Sequence, residues 1–170
     1  MKKRIRIKKG SIALYELEVM SRGVCRSIAP LHFAEEEDDF LVEPEIYGLD
    51  SIDRWLMAER SFVFDGYRRL LRLLGGLAQS LIDASDYLIP AEHLSLEPCE
   101  LFIKDDTLLT IPSGNTGTSF EEKIQRLLSY LGNRYPQTHA SYIRERLPEY
   151  FDAKILLRQV TCLELDLSCR

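Results

Sequence analysis

The chain has 170 residues, 45% hydrophobic and 29% charged, with a formal net charge of −5. That length fits one domain with a sizeable core, and the negative balance disfavours a general nucleic-acid role, because phosphate backbones recruit basic surfaces. Cys25, Cys99, Cys162 and Cys169 show no C-x-x-C spacing and no histidine placed to complete a zinc site, so reduced thiols are expected instead of a disulfide framework. No apolar run approaches the roughly 18 residues that span a membrane, and no signal-peptide core follows the basic N-terminus. A soluble, cytoplasmic chain is expected.

Residues 1–9 alternate, with Arg4, Arg6 and Lys8 on one side and Ile5 and Ile7 on the other, which predicts a half-buried strand. Residues 14–19 alternate again, and together the two runs predict an antiparallel hairpin. The basic face could attract anionic lipid or acidic protein at about 1 kcal/mol per charge. The favoured reading is that it guards a sheet edge against mispairing. Residues 20–29 suggest one or two helical turns at most. Strands are expected at 31–33 and 40–47, flanking the run Glu35, Glu36, Glu37, Asp38 and Asp39. Five like charges belong in a solvated loop, and consecutive carboxylates on extended backbone do not converge on a metal. Residues 1–47 therefore read as a small antiparallel sheet with almost no helix.

Asp50 is the expected N-cap of a helix running through Glu59, with Asp53 in its first turn and Ile52, Trp55 and Leu56 as its apolar stripe. Trp55 reads as a core anchor. The longest helix sets Tyr67, Leu70, Leu71, Leu74, Leu77, Ala78 and Leu81 on one face. Gly75 and Gly76 inside it cost about 1 kcal/mol each relative to alanine, which predicts a close approach or a kink. Beyond Pro90, apolar runs at 101–103 and 108–111 flank a tight turn at 104–106. Residues 112–117 contain glycines but lack the G-x-x-x-x-G-K-[ST] spacing of a phosphate cradle. Ser119 to Glu122 is a capping box. It opens a helix carrying Phe120, Ile124, Leu127, Leu128 and Leu131, with Gly132 expected to close it. Two shorter helices follow, at 137–147 and 148–159. The fold class is α+β.

Residues 93–103 read H-L-S-L-E-P-C-E-L-F-I. They resemble, without a gap, the catalytic loop of protein kinases, H-R-D-L-K-P-x-N-I-L-L. His93, Leu96 and Pro98 are identical. Ser95 stands where the base aspartate belongs, Glu97 where the lysine belongs, and Glu100 where the metal-holding asparagine belongs. Small sheet, linker helix, long helix, loop, hairpin and further helices also follow the order of a kinase. The resemblance implies a reduced kinase-like fold in one domain, 1–170, with a small β lobe at 1–47, a helical lobe at 48–170 and the 101–111 hairpin near their junction. The stretch E-I-Y-G-L-D-S-I-D-R-W-L, the leucine-rich helix and residues 88–111 are further similar to bacterial domains usually found ahead of a forkhead-associated domain. More distantly they resemble the cytosolic pseudokinase domain of a type VII secretion membrane component. That resemblance covers most of residues 10–150 and implies a non-catalytic role in phosphorylation-linked signalling or secretion. Neither a forkhead-associated domain nor a membrane span is recognisable within the 170 residues.

Phosphoryl transfer needs positioned phosphates, metal ions and a base or orienting group. No G-x-G-x-x-G is present, and no lysine lies between Lys9 and Lys104. The segment for the helix glutamate is too short for a full helix, and Thr110-Ile111-Pro112 stands where the metal-binding D-F-G would fall. Ser95 cannot act as a base without a neighbour to take its own proton. The expectation is a degenerate loop (His93, Ser95, Glu97, Glu100) with no catalytic residue, no cofactor and no metal. His93 reads as a structural residue of the loop. A hydrolase triad of Ser95, His93 and a carboxylate lacks its nucleophile elbow. The favoured function is a scaffolding or interaction module with a protein partner, a second copy of the chain being one candidate. The alternative is a divergent nucleotide-binding regulator or small-molecule phosphotransferase.

Overall fold

The computed structural model describes residues 3–58, 62–105 and 107–168, except for the side chains of 57, 58 and 62–64. Three strands, β1 (Ile5–Lys8), β2 (Leu31–Glu35) and β3 (Asp39–Pro44), form an antiparallel sheet in the order β1-β3-β2. Ile7 lies opposite Phe40 and Ile5 opposite Val42, and all four are buried while Arg4, Arg6 and Lys8 face out. The outward face of β1 meets the sheet's own acid. Arg6 pairs with Glu36 at 3.3 Å, Lys9 with Glu35 at 2.9 Å and Arg4 with Glu43 at 3.3 Å. Exposed pairs of this kind contribute at most about 1 kcal/mol each, but they neutralise much of the face that could have met lipid.

The expected hairpin does not form. Residues 14–19 belong instead to a helix, α1 (Leu14–Ser21). Its buried residues are Glu16, Leu17 and Met20, a helical spacing, whereas Tyr15, which an alternating strand would bury along with Leu17 and Val19, is exposed. Six residues of alternating letters satisfied either period. The helix won because Glu16 has two partners indoors, the Ala13 amide at 3.3 Å and the imidazole of His93.

A two-residue strand, β4 (Asp50–Ser51), runs directly into α2 (Ile52–Ala58). Ser51, not Asp50, caps it, accepting the Arg54 amide at 3.4 Å. The expected end at Glu59 lies outside the described residues. Ile52 and Leu56 are buried, and Trp55 packs half-buried against the core.

The long helix α3 (Phe62–Ser85) buries the leucine face as its spacing predicts: Leu70, Leu71, Leu74, Leu77, Ala78 and Leu81 are all within 1% of full burial. Its kink falls at Asp65 (φ −143°, ψ 35°), not at the glycine pair. The close approach is at Gly66, where an added Cβ would lie 2.7 Å from the carbonyl oxygen of Gln137. Gly75 would make an ordinary 3.7 Å contact with Val160, and Gly76 faces open space. Opposite outcomes are therefore expected in denaturant titrations. Gly66→Ala should lose about 1–3 kcal/mol through overpacking against backbone, and Gly76→Ala should gain about 0.5–1 kcal/mol from helix propensity. Two losses of similar size would mean that the helix does not approach residue 137 in this way.

β5 (Phe102–Lys104) and β6 (Thr107–Leu109) form a hairpin that β4 extends to a second three-stranded sheet. The helical part of the chain thus carries a sheet of its own. The hairpin lies where the two parts meet: Ala29 N donates to Thr110 O at 2.9 Å and Thr110 N to Ser27 O at 3.0 Å. Ser80 Oγ, on α3, donates to Leu108 O.

α4 (Phe120–Arg134) begins at Ser119, whose Oγ accepts the Glu122 amide at 3.2 Å. It runs past Gly132 and stops just before Pro136, which cannot continue it. The first of the two predicted later helices is broken by a 3-10 turn (Pro136–Thr138) and the left-handed His139 (φ 52°), leaving the short α5 (Ala140–Arg144). The second, α6 (Ala153–Ser168), starts later and runs further than expected. Asp152 Oδ1 caps it by accepting the Ile155 amide at 2.8 Å. Leu156, Val160 and Leu163 are its buried residues, and Val160 faces Gly75 of α3. Cys25 is buried and Cys99 and Cys162 are exposed, all three free. Cys169 lies outside the described residues.

Candidate functional site

The segment of residues 93–103 begins in a 3-10 turn (Ala91–His93) and pairs antiparallel with the chain beyond β6. Ser95 N donates to Ile111 O at 2.8 Å and Ser113 N to His93 O at 2.8 Å, and Thr110 Oγ1 donates to Ser95 O at 2.6 Å. This pairing fixes the backbone of residues 93–95.

His93 Nδ1 lies 2.7 Å from Glu16 Oε2. A carboxylate only accepts, so Nδ1 carries the proton. Glu16 is buried and His93 is half-buried, and the contact ties α1 to the loop across 77 residues of sequence. Ser95 is buried, and its Oγ donates to Glu100 Oε2. The other carboxylate oxygen of Glu100 is 2.5 Å from the Lys3 ammonium. Ser95 and Glu100 are thus brought together, and Lys3 closes the chain of contacts. Glu97 is exposed and its side chain joins none of these contacts, although its amide donates to Ser95 Oγ at 3.3 Å.

Lys123, on α4, holds the loop from the other side. Its ammonium donates to Glu92 O at 2.5 Å and to Leu94 O at 2.8 Å. Burial pushes this amine below its ordinary value, while the nearby carboxylates Glu92, Glu97 and Glu100 push it back up. At Cys99 the thiol is raised, first by burial and then by the charge of Glu100.

Three contributors were not picked out from the sequence: Glu16, Lys3 and Lys123. Lys123 had left a signal, since it sits inside the apolar stripe of α4, three residues after Phe120 and four before Leu127. A lysine there is buried and needs acceptors. Glu16 and Lys3 left none, because each meets its partner across at least 77 residues.

Beside the loop, Ser95, Glu97, Ser113, Asn115, Thr118 and Lys123 help to line a space of about 70 Å³. Drug-sized ligands and cofactors occupy pockets of roughly 300–1,000 Å³, so a nucleotide does not fit there as the side chains stand. A larger cleft of about 760 Å³ lies at the crossing between the two sheets, lined by Lys3, Glu43, Ile46, Tyr47, Arg54 and Phe102 among others.

No protein-family model matches the chain, and neither the curated proteins nor the solved structures give a significant match. Among the described residues no helix is long and apolar enough to cross a membrane.

Proposed function

We propose that the chain is a pseudokinase-like interaction module, without phosphotransfer activity of its own. It scaffolds or regulates a protein partner in bacterial phosphorylation-linked signalling or secretion, in the cytoplasm. One observation carries the reading: Ser95 and Glu100, at two of the loop's chemical positions, are bonded to each other, and a lysine takes the remaining carboxylate oxygen. In a kinase the small-lobe helix supplies a glutamate to a lysine that holds phosphates, and the loop supplies a base and a metal ligand. Here Glu16 of the small-sheet helix reaches His93, Lys3 reaches Glu100, and Ser95 donates to Glu100. With Ser95 in place of an aspartate, its neighbour Glu100 bound to a lysine and Glu97 turned outward, no base is poised over a substrate site. What remains is a rigid loop that locks α1, the hairpin and α4 together.

Restoring the missing letters tests this. The variant Ser95→Asp/Glu97→Lys/Glu100→Asn should fold, bind no nucleotide in calorimetry and transfer no labelled phosphate to itself or to a generic acceptor. A base alone is worth about a hundred- to ten-thousandfold, and only toward a substrate already held in place. Labelled protein above the wild-type background would overturn the reading, because it would make the site dormant instead of dismantled.

The cleft at the crossing between the sheets favours a second reading, a nucleotide-binding regulator, since its size suits a nucleotide. Thermal unfolding with and without Mg-ATP separates the two. Nucleotide at a hundredfold its dissociation constant stabilises a binder by about 2.7 kcal/mol, and no shift at millimolar Mg-ATP would rule the second reading out.

A further inference from the structure

Ten large hydrophobic side chains are exposed among the described residues, and four of them, Tyr15, Val24, Tyr87 and Leu88, are brought together, with Leu14 next to Tyr15 at the start of α1. Two hydrogen bonds hold them there: Tyr15 Oη donates to Leu88 O at 2.6 Å and Tyr87 Oη to Val24 O at 3.2 Å. The patch therefore joins the outer face of α1, the turn after it and the end of α3.

Leu88 is its centre and its anomaly. α3 closes in a turn in which Ile89 N donates to Ala84 O at 3.2 Å and Leu88 N to Ser85 O at 2.9 Å. That is the bonding of a Schellman motif, whose left-handed residue is usually glycine because a Cβ is penalised there. Leu88 occupies the position at φ 59°. Ile89 and Ala84 supply the buried apolar contact that accompanies the motif. Leu88 itself is 73% exposed. A leucine here bears the strain of the left-handed region and recovers little of it through burial. Strain kept without a local return points to function.

The charges around the patch indicate what covers it. Glu18 and Arg22 share the outer face of α1, Arg26 follows Val24, and Asp86 precedes Tyr87; all four are exposed, and none makes an ion pair among the described residues. A ligand surface of one sign would match the two arginines or the two carboxylates and oppose the other pair. A second copy of the same patch, related by a two-fold axis, can set arginines against carboxylates in both directions. An apolar centre within a polar rim is also how protein interfaces are built, and the two tyrosines, already hydrogen-bonded, lose little freedom on docking. We infer that this patch is a two-fold self-association face and that its occupant is a second copy of the chain. The inference rests on the patch and not on the loop, so the outcome of the loop-restoration experiment does not bear on it.

Sedimentation velocity of the full chain over a concentration series tests it, with circular dichroism to confirm folding. The wild type should pass from monomer to dimer. Leu88→Glu should weaken dimerisation about tenfold or more, as loss of a central apolar anchor does. Arg22→Glu should weaken it in a salt-dependent way. Leu165→Glu, at an exposed apolar position on α6, should leave it unchanged. Leu88→Gly is the sharper variant, because glycine removes the anchor and the strain together. Dimerisation should fall, while the melting temperature of the dilute monomer should hold steady or rise. A wild type that stays monomeric at every concentration overturns the inference, whether or not the patch takes up another protein. So does a dimer that Leu88→Glu leaves intact.

Discussion

Leu74→Ala and Leu77→Ala should each lower the unfolding free energy by about 2–5 kcal/mol, the range for truncating a fully buried leucine. Both side chains have no exposed surface, and α3 forms the spine on which β6 and α6 rest. Neither site can collapse easily, because its neighbours belong to elements held in place elsewhere. Arg72→Ala, on the solvated side of the same helix, should stay within about 0.5 kcal/mol of neutral. Guanidinium titrations of the three variants decide the matter. Small, equal losses at all three positions would mean that the leucine face does not line a core.

The contrast between those leucines and residues 14–19 explains how much of the fold the letters carried. The 3.6-fold spacing from Tyr67 to Leu81 in α3 admits one reading, and every residue of the predicted face is buried except Tyr67, which is half-buried. Six alternating residues admit two. What decided between strand and helix was a buried glutamate, whose reason lies in His93, far along the chain. The same holds for Gly66: its constraint comes from the carbonyl of Gln137, whereas Gly75 and Gly76 drew attention only through their composition. Local caps fared better. Ser119 caps α4 as its capping box predicts, while at α2 the choice between Asp50 and Ser51 turned on one residue of register.

The candidate site divides along similar lines. The hairpin after residues 93–100 could be read from an apolar run on either side of a turn, but the pairing of His93 and Ser95 with 111–113 was not expected. The side-chain contacts were not legible either, because Lys3, Glu16 and Lys123 come from three separate parts of the chain. The sequence shows only where residues 93–103 differ from a kinase catalytic loop. Only the assembled geometry shows that Ser95 and Glu100 are bonded to each other, and that a lysine from the start of the chain takes the remaining oxygen.

The contact between Glu16 and His93 should behave as one unit. His93→Ala leaves a buried carboxylate without its imidazole partner, and leaving a buried acceptor without its hydrogen-bond donor costs about 1–3 kcal/mol, more where the group is charged. Water reaches His93 in part, with 22% of its side chain exposed, so the lower end of that range is expected. Glu16→Leu removes the carboxylate and the acceptor of the Ala13 amide, and should cost about 1–3 kcal/mol. The double variant should be much less unstable than the sum, by a coupling of about 1–3 kcal/mol, because an apolar side chain needs no imidazole. Amide exchange adds a spatial readout. In His93→Ala the amides of α1 should lose protection before those of α3, since this pair joins the helix to the loop. The outer face of that helix carries Leu14, Tyr15 and Glu18, so loosening it should also weaken self-association. Strictly additive losses, or α1 amides as protected as in the wild type, would show that the pair is an incidental contact and that packing alone holds α1 against the loop.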